Sequence, residues 1–308
     1  MIKHETVLPL AAVNYLLPEL TPENWLIDMT FGGGGHTRSL IEAGARVIGL
    51  DYDKEAIEAG REEFKEEIEQ GRLILVEVNF DKVEAVIEKL RKEGSIAAEA
   101  LIQGVLFDLG TNSEQLMSIE RGLSFSGSGP LDMRLDTGLA VTARDLLMAL
   151  PEKQMAEMLR EMGGEEQAKG IARAIIKERE IKGSEALRTT DELVEVIMRV
   201  KGGREKGKRI HPATKVFQAL RIVVNDELGN LERALPATWR VLSREGRMMT
   251  IAFHEGEDRL AKRFMREKMD LGAGELVLKQ VEKPSFEEIK DNPRARSAKL
   301  RVIKKIGD

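Results

Sequence analysis

The stretch from Trp25 to Asp53, WLIDMTFGGGGHTRSLIEAGARVIGLDYD, decides the fold. A short apolar run leads into four consecutive glycines, Gly32 to Gly35. A helical segment follows, then a second apolar run closed by an acid, Asp51. Glycines between a strand and a helix let a ligand touch bare main chain beside the helix N-terminus. An acid ending the next strand is placed to bind a ribose diol. Together the two features fit an adenosine-containing cofactor. The dinucleotide fingerprint G-x-G-x-x-G is incomplete, because its third glycine, counted from Gly32 or Gly33, falls on Thr37 or Arg38.

The same pattern continues on both sides. WLIDMT (25–30), ARVIGLD (45–51), RLILVEV (72–78) and GVLFDLG (104–110) are short runs rich in Val, Ile and Leu, separated by helical segments. Continuous apolar strands alternating with helices predict a parallel sheet covered on both faces. Strands return at GRMMTIAF (246–253), ELVLKQV (275–281) and SAKLRVIKK (297–305), and the last two are expected to pair as an antiparallel hairpin at a sheet edge. Between these sets lies a Ser- and Gly-rich loop at 116–128. From Thr142 to Val200 only helical periodicity is present, with stops at MGGEE and IKGSE. KGGREKGKR, glycine and positive charge without an apolar residue, reads as a mobile loop. In HPATKVFQALRIVVNDELGNLERAL, Pro212 suits a first helical turn, and Val216, Leu220, Val223, Leu228, Leu231 and Leu235 recur at helical spacings. The expectation is an α/β domain of seven mostly parallel strands in two chain segments, 1–113 and 212–308. An all-helical domain, 114–211, is inserted between them.

Composition narrows the function. The 308 residues are 42% apolar and 33% charged, so they can bury a substantial core. Cysteine is absent, which excludes disulfides and thiolate metal sites. No apolar run approaches the ~20 residues of a membrane span, and a cytoplasmic protein is expected. A net charge of −5 argues against indiscriminate nucleic-acid binding while leaving room for local basic surfaces.

Two features favour S-adenosylmethionine over NAD. Phe80, after the third strand, is placed to lie against an adenine ring. Asp108, after the fourth, stands at the carboxyl edge of the sheet beside the topological switch point. Acidic groups suit a sulfonium and an ammonium, and suit a pyrophosphate poorly. The plainer alternatives are a core aromatic for Phe80 and a helix cap for Asp108.

Taken in order, HETVLP, DMTFGGGGHTR, LFDLGTNSEQL, ERGLSFSGSGPLDMRLD, HPATKVFQALRIVVNDELGNLE, AFHEGEDRLAKRFMRE and NPRARSAKLRV resemble successive blocks of the MraW-type methyltransferases over nearly the whole chain. The resemblance implies a class I methyltransferase (Rossmann-like) domain with a helical insertion. It implies methyl transfer from S-adenosylmethionine to N4 of a cytidine in the decoding centre of small-subunit (16S) ribosomal RNA, with that RNA and the small ribosomal subunit as partners. Carried over by position, the cofactor contacts are Gly34, Gly35, His36, Asp51, Phe80, Asp108 and Gln115. Two segments depart from the family pattern. Thr111, Asn112, Ser113 and Glu114 replace a valine, two serines and a proline, and Glu255 and Gly256 replace a serine and a leucine. A divergent member acting on another RNA or DNA base, a non-catalytic RNA-binding assembly factor and an NAD-dependent oxidoreductase are the competing readings.

Methylation of an exocyclic amine needs a hydrogen-bond acceptor for its protons, and the candidates are Asp108, Asn112, Ser113 and His254. The base must also be splayed from its stack. His4, His36, His211 and His254 show no zinc-ligand spacing, so no metal is expected. RNA contact is expected from basic clusters: KGGREKGKR, with Lys206, Lys208 and Arg209; KRFMREK; and NPRARSAKLR, with Arg294 and Arg296. Such cations position phosphates without reading sequence. The sequence leaves monomer and homodimer open.

Overall fold

The structure is a computed structural model that describes residues 6–17, 24–110, 121–124, 127–202 and 211–307. The chain divides into two compact units, Met1–Asn112 with Leu228–Asp308, and Ser113–Glu227.

The first unit is built on seven strands: β1 (Trp25–Asp28), β2 (Arg46–Asp51), β3 (Leu73–Glu77), β4 (Ile102–Asp108), β5 (Arg247–Ala252), β6 (Gly274–Leu276) and β7 (Lys299–Lys305). Their order is β3-β2-β1-β4-β5-β7-β6. The first five are parallel, and β7 runs antiparallel to both β5 and β6. This is the seven-stranded, mostly parallel sheet expected of a class I methyltransferase. Strand order reverses between β1 and β4, which puts the switch point beside the glycine turn.

Alternate residues of each strand enter different cores. Trp25, Ile27, Ile48, Leu50, Val105 and Phe107 face one layer, with Val86 and Leu90 of one helix and Leu235 and Trp239 of another. Leu26, Val47 and Leu106 face the opposite layer, with Ala12, Leu16, Leu40 and Ile57. Because both faces are dry, the strands read as unbroken apolar runs and not as alternation.

The expected antiparallel hairpin forms at a sheet edge, with β6 outermost and β7 between it and β5. It differs in length, because β6 is only three residues long. After it, Val277 N donates to Val302 O and Glu282 bridges Leu300, so five steps on one strand answer two on the other. The surplus residues leave the ladder, which is why ELVLKQV does not run as one strand.

Among the described residues of the second unit, the α-helices are Ala143–Ala149, Glu152–Gly163, Ala168–Lys182, Thr190–Lys201 and Thr214–Val224. Thr142 and Thr189 cap two of them through reciprocal capping boxes. Gly164, left-handed at φ 62°, ends another, at the stop read in MGGEE. The GPLDMRLD block is a self-tied loop. Arg134 donates to both carboxylate oxygens of Asp132 and to the carbonyls of Thr137 and Leu139. Asn225 then joins it, accepting from Leu135 N and donating to Met133 O.

The second unit extends past the boundary expected at 211. The helix Thr214–Val224 packs on Glu152–Gly163. The approach is so close that a Cβ on Gly163 would lie 2.2 Å from Lys215 O. The helical run that begins at HPAT therefore breaks in two, with Asp226 at φ 48° and a new helix from Glu227 to Val241. The five-residue step from Val223 to Leu228 marks that break. Among the described residues, no helix is long and apolar enough to cross a membrane.

Candidate active site

The ends of β1, β2 and β4 bring three carboxyl groups to the carboxyl edge of the sheet around the glycine turn, and the helix Gly35–Glu42 adds His36. Asp51, last in β2, is buried. Its Oδ2 accepts from Gly32 N and its Oδ1 from Asp53 N, each at 2.8 Å. Burial pushes its carboxyl up to about 6, against the lowering effect of those two bonds. Each oxygen keeps a lone pair for a further donor.

Asp28, last in β1, is 1% exposed. It accepts from Thr37 Oγ1 at 2.8 Å and from Thr30 N at 3.2 Å, which fixes the first turn of the helix Gly35–Glu42 against the strand. Burial raises its pKa, opposed by the charge of His36 and by those hydrogen bonds. The sequence reading passed over this residue, although its place at the end of the first strand was a usable signal.

His36 lies in the same turn, with Nε2 3.3 Å from Asp108 Oδ2. The contact has the distance of an ion pair without the angles of a hydrogen bond, and both His36 nitrogens and Asp108 Oδ1 are buried without a hydrogen-bond partner. Burial works to lower the His36 pKa, but Asp108 and Asp28 outweigh it and the net shift is upward. Asp108 itself is fixed from behind, its N–H donating to Thr30 Oγ1 at 2.8 Å.

The glycines divide their work. A Cβ on Gly34 would fall 2.7 Å from the Phe64 ring and 2.9 Å from Phe31, and one on Gly35 would fall 1.8 Å from Thr6 Oγ1. The main chain at Gly34 and Gly35 is therefore bare because protein packs against it. Gly32, at φ 51°, has only Thr30 O nearby, at 3.8 Å, and Gly33 is exposed. Main chain is thus also accessible at Gly32–Gly33, two positions before the Gly34–Gly35 pair that the resemblance implies, and Gly35 is itself only half-buried.

Phe80 opens a short 3₁₀ turn after β3 and meets Phe107 edge to face, with centroids 5.8 Å apart. It is half-buried, leaving part of its ring to contact an adenine. His254 follows β5 as the N-cap of the helix Glu255–Asp270. Its Nδ1 accepts from Gly256 N and Glu257 N, and Glu257 returns the bond to His254 N. With Nδ1 engaged, its geometry is that of a capping residue. The spacing His254-x-x-Glu257 is a capping-box spacing, and that signal was available in the sequence. Asn112, Ser113, Gln115, Lys206, Lys208 and Arg209 lie outside the described residues.

The two departures at 255–256 find structural partners. Glu255 pairs with Lys299 at 2.7 Å, and a Cβ on Gly256 would meet the His254 ring and Leu228 at 3.1 Å. Asp258 binds Arg301 at 2.7 Å and Lys299 at 3.3 Å. Burial alone would raise the Asp258 carboxyl, but the two cations hold it below its ordinary value. That network joins the HEGEDR block to β7. KRFMREK is partly committed inside the protein as well: Arg263 pairs with Glu232, and Lys268 lies over Phe264 and Trp239.

The residues fit the donor the sequence suggested. A buried carboxylate with spare lone pairs faces the glycine turn, suited to ribose hydroxyls. An acidic group with an orphaned oxygen, Asp108 Oδ1, suits an ammonium or a sulfonium.

Comparison with known proteins agrees. The profile of the MraW methylase family matches residues 1–306. A ribosomal RNA small subunit methyltransferase H from Coprothermobacter proteolyticus is 38% identical over 306 residues, covering 99% of this chain and 96% of that one. Its counterpart from Brucella suis is 40% identical over 315 residues, covering 98% and 87%. An rRNA methylase structure from Streptococcus thermophilus superimposes with a TM-score of 0.44 at 9% identity, covering 97% of this chain and 93% of that one. The chain belongs to the MraW methylase family and is an S-adenosylmethionine-dependent methyltransferase.

Proposed function

We propose that this chain methylates N4 of a cytidine in small-subunit ribosomal RNA. The observation that carries the reading is the meeting of Asp51, His36 and Asp108 at one sheet edge, with unpaired acceptor capacity turned toward the glycine turn. The names of the full-length relatives support the RNA class, and the resemblance of the sequence blocks supports cytidine N4.

When bound, S-adenosylmethionine supplies a methyl group already activated as a sulfonium, so the carbon–sulfur bond breaks as a nitrogen–carbon bond forms. The protein's task is orientation, exclusion of water and removal of a proton. Asp51 holds the ribose, Gly32 and Gly33 offer main chain, and Phe80 packs against the adenine. Asp108 keeps Oδ2 toward His36, leaving Oδ1 to accept a hydrogen bond from the donor's ammonium or from the target amine. As N4 pyramidalises it must lose a proton. Asp108, Asn112 and Ser113 stay the candidates to receive it, and His254 is better read as scaffold. Arg294 and Arg296 are exposed, as phosphate contact requires.

The test is methylation of small ribosomal subunits that lack the mark, with labelled donor, followed by nucleoside mass spectrometry. The expected product is N4-methylcytidine. Label on another nucleoside, or none, overturns the assignment.

A further inference from the structure

Two of the most exposed large apolar side chains are Phe286, 78% exposed, and Leu10, 74% exposed. Leu8 N donates to Glu288 Oε1 at 2.7 Å, which ties the segment carrying Leu10 to the one carrying Phe286. Phe286 opens the short helix Phe286–Asp291, which packs on the 3₁₀ turn Pro293–Ser297. On these two elements Lys290, Arg294 and Arg296 are exposed and make no ion pair among the described residues. Elsewhere in this unit long cations are commonly paired, as Arg240 is with Glu84 and Arg263 with Glu232. The acids of the segment are divided in use: Glu288 holds Leu8 and Glu282 holds the Tyr15 hydroxyl, while Glu287 and Asp291 are exposed.

The sheet fixes where this surface lies. β7 is antiparallel, so it starts at the edge where the parallel strands finish. Lys299 pairs with Ala252, and Ile251 pairs with Asp108. Arg296 is three residues before Lys299. Arg294 and Arg296 therefore precede β7 at the carboxyl edge that carries Asp108.

We propose that the segment Lys283–Arg296 is an RNA-contact surface in which Phe286 stacks on an unpaired base or ribose of the substrate while Arg294 and Arg296 hold the adjoining phosphates. An exposed aromatic ring flanked by unpaired cations matches the two chemistries of single-stranded RNA, a π-face and a charged backbone. The inference rests on the RNA-methyltransferase reading above and adds to it the place where the substrate outside the target base is gripped.

The test is fluorescence anisotropy with a labelled transcript of the small-subunit decoding region, using the full chain and the variants Phe286→Ala, Phe286→Trp and Arg294→Ala with Arg296→Ala. Donor affinity is measured in parallel by calorimetry. Phe286→Ala should weaken RNA binding by about five- to a hundredfold, and Phe286→Trp should retain it. The double arginine variant should bind more weakly and lose about 1.5 from the slope of log affinity against log salt. Donor affinity should be unchanged in all three. Wild-type RNA affinity in Phe286→Ala and in the double variant overturns the inference. So does an equal loss in Phe286→Trp, or a loss seen only with assembled subunits, which would assign the surface to a protein partner. A wild-type chain that neither binds the transcript nor methylates small subunits defeats the underlying function and this surface with it. A wild-type chain that methylates, with variants that bind normally, defeats this surface alone.

Discussion

If Asp51 holds the ribose, as proposed, cofactor binding depends on pH, and the size of the effect follows from the surroundings of that carboxyl group. The free protein holds this carboxyl buried, with its pKa raised to about 6. Its ordinary value is 3.8, so the shift corresponds to about 3 kcal/mol at 1.36 kcal/mol per unit. The sign is that of a raised group: its favourable contribution to folding is complete below the unfolded value and is lost as pH rises through about 6. At neutral pH the free chain therefore carries an ionised carboxylate that two main-chain N–H groups satisfy only in part. Two ribose hydroxyls donating to it favour the ionised form, so binding should release a proton wherever the free group is protonated. Apparent affinity should follow the ionised fraction and fall about tenfold between pH 7 and pH 5. Calorimetry with S-adenosylmethionine in buffers of different ionisation enthalpy measures both quantities, and about half a proton should leave per binding event near pH 6. Asp51→Asn should bind at least about tenfold more weakly at pH 7 and lose the dependence, since its amide cannot accept from Gly32 and Asp53 together. Affinity that stays flat from pH 5 to pH 8 in the wild type, or an Asp51→Asn variant that binds as tightly as wild type at pH 7, would refute the placement of the ribose.

Other perturbations separate packing from chemistry. Gly35→Ala puts a Cβ 1.8 Å from Thr6 Oγ1, and thermal or urea unfolding should show a loss of about 1–3 kcal/mol; unchanged stability would mean that Thr6 does not pack there. Asp258→Asn should cost about 3 kcal/mol by urea denaturation at pH 7. Because the Asp258 carboxyl is held below its ordinary value, its stabilisation is present above the unfolded pKa of about 4 and lost as pH falls through the folded one. The gap between wild type and variant should therefore close in acid, and a constant gap would show that the charge is not what Arg301 and Lys299 recognise. Asp108→Asn removes a charge that raises the His36 pKa. The His36 titration followed by NMR should move down, and methyl transfer should slow by about a hundredfold or more; an unmoved titration would show that the pair is not formed.

The strands were legible because a sheet covered on both faces imposes one chemical demand on every residue. Val47, Ile48, Leu50, Val105 and Leu106 are all buried, so hydrophobicity alone marks them whichever layer they enter. The glycine turn and Asp51 were legible for a related reason: the motif is local, and the acid falls on the next strand. The inner logic of that turn was not. Gly34 is glycine because of Phe31 and Phe64, and Gly35 because of Thr6. Most of those partners are distant in sequence, and nothing in the run GGGG carries them. The order of β6 and β7 was hidden similarly, since a hairpin predicts which strands pair and not which neighbour the pair leans on.

Several blocks that resemble the family draw on one physical source, and it bears on which of them perform chemistry. Asn225 holds Leu135 and Met133, and Asp258 holds Arg301 across 43 positions. Each is a polar group whose partners were taken out of water with it. Removing one side would leave the other unsatisfied, at a cost of about 1–3 kcal/mol or more. Such residues are fixed in type by scaffold demands alone, so a motif that contains them is not evidence of catalysis. The residues that scaffold demands leave incomplete are different. His36 keeps two buried nitrogens and Asp108 one buried oxygen without a hydrogen-bond partner, an arrangement that folding by itself disfavours. Orphaned polar atoms also occur at His254 Nε2 and Trp239 Nε1; what sets His36 and Asp108 apart is that theirs gather beside Asp51 and the glycine turn, where we propose that the donor binds.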